Sequence, residues 1–452
     1  MRELKIRIEP FEVLSVLNYH AVLEPNHHGR AKVTALIDSS HDQSCLAMAK
    51  ETTWVTVTGE GEKGDRKVLF CGVLSSLSIK KDTDTSVMEL VLMTGTVLLD
   101  CDEHIRSFQA ENLTYKDVVD VCNDSYKKEK AGTIMKVGDD SVLPHFILQY
   151  KETDWQFLKR MCAMAGGMLM PEWAAEGIKY FFGMPRRAER ITFDTTAYTM
   201  MCDQIESYVI ESREIYPIGG KTEFMGKTLY IWKIESQMRG GELYHNYYIT
   251  SDSRGLIRTI DTYNKDMTGV SLYGKIKVVE GEKVKITIEQ DENSKNSGSR
   301  WFPFSTVYSS ADGAGWYCMP EAGDKVRLYI PEPEETDAYV CSAVHENKGD
   351  GIRTNPDHKI WRNKQGNEIR LTPDKILLTN NNGTWIELSD SQGIRMNSNS
   401  TVSIRANGQL RIASENSGIE ISASNRIRIQ QGDSEVRIQD GIEFSGAKVN
   451  MH

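Results

Sequence analysis

Residues 386–412 divide every eight positions into IELSDSQG, IRMNSNST, VSIRANGQ and LRI. Each block opens on an apolar pair spaced two apart: Ile386/Leu388, Ile394/Met396, Val402/Ile404 and Leu410/Ile412. The series continues as Ile419/Ile421, Ile427/Ile429, Val436/Ile438, Ile442/Phe444 and Val449/Met451, with steps of six to nine. Spacing of two puts both side chains on one face of a strand. A period of eight allots one short strand and one turn to each repeat, and Gly383, Gly393, Gly408, Gly418, Gly432 and Gly441 fall in the turns. A strand with two inward side chains cannot bury its face alone, so repeat must stack on repeat. A single chain making one three-sided coil per about 24 residues is one solution. Three chains winding around one axis is the better one, because each octad then forms one face around a shared dry core. Arg395, Arg405, Arg411, Glu420 and Arg428 interrupt a face-to-face zipper, against an amyloid-like assembly. The regularity argues against a disordered tail. The expectation for 361–452 is an intertwined triple-stranded β-helix, or β-prism, in a homotrimer, with the apolar pairs as the needle core.

Upstream, residues 347–360 read as a linker and 266–346 as a compact module. The latter carries about five strand-like stretches, among them GKIKVVEGEKVKITIEQ and AGWYCMPEAGDKVRLYI, punctuated by Glu280-Gly281 and Gly323-Asp324. Five such strands suit a small closed barrel of the OB type. Residues 1–265 are again strand-like, as in TWVTVTG, KVLFCGVLSSLSI and SVMELVLM, with helical signals in two places. Thr114 with Asp117 makes a capping box ahead of YKDVVDVCNDSYKK, and Thr153 caps DWQFLKRMCAMAG, which stops at Gly166-Gly167. Two β-barrels with a small helical insert are expected there. The fold class is thus mainly β throughout.

The 452 residues leave room for about two to four domains. Hydrophobic residues make up 39%, low for one large core. The 54 Lys plus Arg stand against 64 Asp plus Glu, a net charge of −10. A broad nucleic-acid surface needs clustered positive charge, so no nucleic-acid partner is expected. The opening MRELKIRIEPFEVLSVLNYH is unlike a signal peptide, and no run reaches the about 18 apolar residues of a membrane span. The eight cysteines form no CxxC pair and sit mostly in apolar contexts such as LFCGVL and AYVCSAV. They read as buried free thiols, in keeping with assembly in a reducing bacterial cytoplasm.

Two stretches, RSFQAENLTYKDVVDVC and LQYKETDWQFLKRMCAMAGG, carry Gln149, Tyr150, Glu152, Asp154, Phe157 and Arg160, followed by Gly166 and Gly167. A third region carries Trp301, Pro303, Gly315, Trp316, Pro320, Gly323, Asp324 and Val326. On these residues, and in this order of segments, the chain resembles the VgrG family and the fused hub-and-spike proteins of contractile phage tails. Ala314 departs from the pattern of some members, and KIWRNKQGNEIRL resembles the lead-in to the family's β-prism. The resemblance implies a trimer at the centre of a baseplate, with the hub beneath the inner tube and the needle pointing at the target envelope. Inner-tube and baseplate proteins, and a PAAR-type tip protein or effector, are the implied partners. The mechanical task implied needs no enzyme and no cofactor.

Some relatives carry a peptidoglycan-cleaving domain before the needle, but HENKGDGIRTNPDHK leaves only a short linker at that place. His27-His28 and His41 beside Asp42 read as surface-loop residues, and Glu332-Pro-Glu-Glu as a charged turn. No nucleotide loop or GxSxG elbow occurs. The rival readings are a trimeric receptor- or polysaccharide-binding tail fibre and, more remotely, a cell-wall hydrolase. At the end of the chain, three His452 imidazoles of a parallel trimer can approach one metal ion. Needle tips in the wider family bind iron through His-x-His, whereas this chain has Asn450-Met451-His452. A frayed terminus or a tip-protein contact are the alternatives for His452.

Overall fold

The computed structural model describes residues 5–49, 52–60, 66–82, 84–202, 205–252, 254–258, 260–294, 297–345, 351–445 and 447–448. Two compact units result, Met1–Glu346 and Asn347–His452. Among the described residues no helix is long and apolar enough to cross a membrane.

The first unit is built on an eleven-stranded antiparallel sheet. Its path runs Lys5–Glu9, Trp54–Glu60, Arg66–Asp82, Thr85–Met93, Arg30–Asp38, Ser15–Leu23, Lys227–Arg239, Glu242–Thr250, Glu206–Ser212 and Thr199–Cys202. Lys221–Phe224 pairs off this path with Lys227–Arg239. Alternation supplies the core, as where Met88, Leu90 and Leu92 are buried along Thr85–Met93. The two expected barrels therefore meet as one continuous sheet over one apolar core. The seam is the pairing of Ser15–Leu23 with Lys227–Arg239, where Leu23 faces Ile234. Pairing between strands so far apart in sequence leaves no trace in local periodicity.

Three helices matter beside this sheet: α1 (Asp42–Met48), α2 (Tyr115–Asp124) and α3 (Asp154–Met164). The sequence signalled α2 and α3, and both start on complete capping boxes, Thr114 with Asp117 and Thr153 with Gln156. Helix α3 ends at Ala165, and Gly166 takes φ +77° while the Gly167 N–H returns to the Cys162 carbonyl at 2.8 Å. The unsignalled α1 has no side-chain cap. Helices α2 and α3 share a core of Val118, Val119, Trp155, Leu158 and Met161.

The rest of the first unit is a five-stranded sheet in the order Phe302–Pro303, Lys283–Ile288, Val270–Glu280, Lys325–Ile330 and Tyr339–Val344. Phe304 forms a parallel bridge with Val340, so the two outer strands meet.

The second unit opens with a five-stranded antiparallel meander: Lys359–Arg362, Glu368–Leu371, Lys375–Thr379, Trp385–Ser389 and Gly393–Asn397. Consecutive strands pair within the chain. Their register stacks Trp361, Ile369, Leu378, Ile386 and Met396 in one apolar column and Leu371, Ile376, Leu388 and Ile394 in another. Residues 398–426 contain no strand. A three-stranded meander follows, Ile427–Gln431, Ser434–Ile438 and Ile442–Ser445. Its register sets Ile429 beside Val436 and Val436 beside Phe444, with Ile427, Ile438 and Ile442 in the parallel row.

The needle-core residues are expected to be buried among three chains; within this one chain the described apolar pairs lie on open faces, those of the two meanders in columns on a sheet and those between them outside any strand. In the first meander Ile386, Leu388, Ile394 and Met396 are exposed. In the strandless stretch the same holds for Val402, Ile404, Leu410, Ile412, Ile419 and Ile421. In the second meander Ile429, Ile438, Ile442 and Phe444 are exposed, with Ile429 at 63% and Phe444 at 60%, while Ile427 and Val436 are half-buried. The reason is geometric: a single layer of short strands aligns its apolar side chains but has no second layer to cover them.

Candidate functional site

The strand Ile147–Thr153 leads directly into α3 and carries most of the first motif. It pairs antiparallel with Glu103–Phe108, matching His104 to Glu152 and Ile105 to Tyr150. Lys151 is left over as a bulge at φ +49°. Residues on either side of that bulge turn inward, so Gln149, Glu152 and Thr153 are buried while Lys151 is exposed. The segment also divides its faces between two cores. Ile147 packs with α2 and α3, whereas Phe146 and Leu148 join the apolar residues of the five-stranded sheet. Phe146 meets Phe302 edge-on, 5.1 Å between ring centroids.

Arg160 projects from α3 into this joint. Its Nε and Nη2 donate to the two Glu152 carboxylate oxygens at 3.0 and 2.8 Å. Its Nη1 donates to Glu335 Oε1 at 3.1 Å, and Nη2 also reaches the Leu148 carbonyl at 2.9 Å. Glu335 Oε1 in turn accepts the Leu148 N–H at 3.1 Å. The Arg160 and Glu335 side chains are 3% and 1% exposed. Burial works against the guanidinium charge, yet Glu152 and Glu335 outweigh it and hold the Arg160 pKa above its usual value. Phe157 lies beneath the guanidinium, 5.2 Å from its ring centroid.

A second cluster adjoins the first. The buried Asp154 carboxylate accepts from the Arg106 guanidinium and from Gln149 Nε2, the latter at 3.0 Å. Gln149 Oε1 takes Arg106 Nη1 at 3.2 Å. His104 lies between Glu292, 2.7 Å from its Nδ1, and Asp154, 3.4 Å from its Nε2. From the loop after Lys283–Ile288, Asp291 accepts both the N–H and the hydroxyl of Ser107. Asn293 Nδ2 donates to the Ser107 carbonyl at 2.9 Å, and Gln109 bonds Ser297 Oγ and the Gly298 N–H.

The motif residues Gln149, Glu152, Asp154, Phe157 and Arg160 are therefore brought together. Tyr150 joins through its carbonyl, which accepts from Asn264 at 2.9 Å. The geometry is that of a rigid joint, in which fixed guanidinium forks hold carboxylates across the boundary of two sheets. Sequence reasoning missed Glu335, Asp291, Asn293 and Ser297, half of this joint. Glu335 lay inside what read as a charged surface turn. The one available signal was chemical: a buried Arg160 offers five donors, and Glu152 alone cannot occupy them. His28 is a correction of the same kind. It lies in a loop, as expected, but half-buried, its ring tilted 35° against Trp155 at 4.5 Å with Nδ1 2.9 Å from Thr96 Oγ1.

The second motif divides by role. Pro303 lies on the outer strand Phe302–Pro303, where a missing N–H is tolerated. Pro320 is buried. Gly323, at φ +99°, and Asp324 form the turn into Lys325–Ile330, with Asp324 Oδ2 accepting the Glu321 N–H at 2.8 Å. Trp301 lies under Lys285 Nζ at 4.7 Å, while Trp316 is 64% exposed. Of the repeat residues, the structure brings Ile429 and Phe444 to either side of Val436 without burying them. Val449, Met451 and His452 lie outside the described residues. Among the described residues no group of three His, Cys, Asp or Glu side chains is placed to hold a metal ion.

No curated protein matches the chain in sequence. Residues 26–347 match the family described as phage tail baseplate hub (GPD). The chain belongs to this family. The match takes in both halves of the joint. Solved structures extend the likeness in fold. An Escherichia coli component of the type VI secretion system, described as similar to the T4 bacteriophage tail proteins gp27 and gp5, is 11% identical with a TM-score of 0.54. The match covers 75% of this chain and 100% of that one. A chain of the Francisella PdpA–VgrG complex is 10% identical with a TM-score of 0.57, covering 88% of each. The protein is thus a member of the phage tail baseplate hub family that shares its fold with these chains.

Proposed function

We propose that three copies form the central spike of a contractile injection system. The hub portion caps the inner tube and the C-terminal repeats form a needle that pierces the target envelope. The observation that carries this reading is the stretch 401–426. Its apolar pairs keep the strand spacing, yet Val402 and Ile404 are 59% and 63% exposed. Its main chain makes no hydrogen bond to the main chain of any described residue. β-prone backbone with neither a ladder nor a core needs partners, and further copies of the same repeat supply both at matching spacing. The exposed columns of the flanking meanders, Ile429 and Phe444 among them, would be covered in the same way. The five-stranded sheet whose outer strands meet at Phe304 and Val340 is read as an OB-type collar. Hub barrels, a PAAR-type tip protein and the tube-facing orientation of the hub belong to the same proposal.

Light scattering on the full chain tests it, with three chain masses expected and a compact monomer refuting it. About ten strand units spaced about 4.8 Å apart give a needle of roughly 50 Å, which electron microscopy would reveal below the collar. Cross-links from the inner tube to residues near Phe108 are expected. Cross-links from the tube to the C-terminal end in their place would reverse the orientation.

A further inference from the structure

The second unit is not uniform, and the differences fall where a repetitive needle needs them. Building on the three-chain reading, we infer that the self-paired meanders at Lys359–Asn397 and Ile427–Ser445 set the register of the three chains, because the stretch between them cannot set its own.

The uniform stretch is degenerate. Shifting one chain by eight residues lays Val402/Ile404 on Leu410/Ile412 and leaves apolar side chains on apolar side chains. The nine-residue step to Ile419/Ile421 falls in the turn containing Gly418, which can absorb one residue. A shift of one residue would turn every side chain to the other face, but a shift of one octad does not. Arg405, Arg411, Glu415 and Glu420 take no ion pair among the described residues.

The flanking meanders have the specificity the middle lacks. In the first, Lys375 reaches Glu387 across two strands at 3.1 Å, on the face opposite the apolar columns. In the second, Arg428 reaches Glu435 at 2.6 Å and Arg437 reaches Glu443 at 3.6 Å, again between strands. Their turns are defined by left-handed residues, Asn381 and Gly383 in the first and Gly432 and Asp440 in the second. Each meander can thus form within one chain and offer its neighbours, at each end of the uniform stretch, interstrand ion pairs that the stretch lacks. Octad slip would then misalign both ends at once.

The test places a photo-crosslinking amino acid at Asn407 in the full chain. Isotopically light and heavy chains are mixed, and the interchain partner is mapped by mass spectrometry. In the wild-type trimer, links are expected around residue 407 of the other chain. Gly383→Val and Gly432→Val together put β-branched residues at φ +82° and φ +54° and break both meanders. In that variant, links should spread to the neighbourhoods of Asn399 and Glu415. The in-register share should fall about three-fold as three near-equal registers are populated. If that variant yields no trimer, Lys375→Gln/Glu387→Gln combined with Arg437→Gln/Glu443→Gln decides in the same way, since it leaves the apolar columns of both meanders intact. A single in-register set of links in the trimeric variant refutes the register claim while leaving the three-chain reading standing. A wild-type chain that stays monomeric overturns both.

Discussion

Replacing Arg160 with Met separates the joint from ordinary core packing. The substitution keeps an apolar stem of similar length above Phe157 and removes the fork that holds Glu152, Glu335 and the Leu148 carbonyl. Two buried carboxylates are then left without a counter-charge. Removing one partner from a buried ion pair costs about 3–5 kcal/mol. The orphaned carbonyl adds about 1 kcal/mol, and the added apolar contact returns about as much. The net expectation is about 3–5 kcal/mol. Arg160→Lys keeps the charge but reaches one carboxylate at a time, for about 1–2 kcal/mol. Glu335→Gln keeps size and the Leu148 contact and should also lose about 1–2 kcal/mol. Urea unfolding of the full chain gives the totals, and hydrogen exchange at the Leu148 amide reports the joint itself. The reasoning is refuted if Arg160→Met unfolds within about 1 kcal/mol of wild type or leaves Leu148 exchange unchanged.

Three further outcomes follow. His245 is buried with Nδ1 2.6 Å from Ser236 Oγ, and burial, aided by the Lys67 charge, lowers its pKa to about 4. Between pH 6.5 and 4 the unfolded chain binds a proton there and the folded chain does not. Stability is therefore full above pH 6.5 and falls by up to about 3 kcal/mol as pH drops to 4. His245→Gln should flatten that slope in urea titrations at several pH values, and an unchanged slope counts against the assignment. Ile404→Asp should abolish soluble trimer while Arg405→Asp leaves it, because three carboxylates would enter one apolar layer; equal yields would mean the register is wrong. In Gly72→Ala the added Cβ would lie 2.2 Å from the Met93 carbonyl oxygen, between paired strands that cannot retreat. A loss of about 1–3 kcal/mol is expected on thermal unfolding, and a neutral result would show that the sheet yields there.

What the sequence disclosed and what it hid divide along physical lines. Capping boxes are local, so Thr114 and Thr153 announced their helices, and the turns at Glu280-Gly281 and Gly323-Asp324 announced the five-stranded sheet. The octad phase was legible because alternation is local too, and Ile376, Leu388 and Ile394 do share a column. Burial was not legible from that phase. Ile429 and Phe444 keep the spacing of core residues and are exposed within the one chain, because what covers a strand face lies outside the strand. The pairing of Leu23 with Ile234 was hidden as well, since nothing in either strand names its partner. The joint lay between these cases. Its hub half stood out as a motif, whereas Glu335 and Asp291 were ordinary acidic residues in polar loops until burial gave them a task.

The strand that lends one face to each of two cores bears on how such proteins exchange parts. A chimera joined near residue 266 would cut the chain at a visible boundary yet leave Phe146 and Leu148 behind, both of them interior residues of the sheet being replaced. The incoming sheet would need its own complement to Arg160 at position 335 and an aromatic at 302 to meet Phe146. Grafts between hub proteins should therefore succeed when these residues are transplanted as a set. In lineages that have exchanged this sheet, substitutions at 160 and 335 should have travelled together.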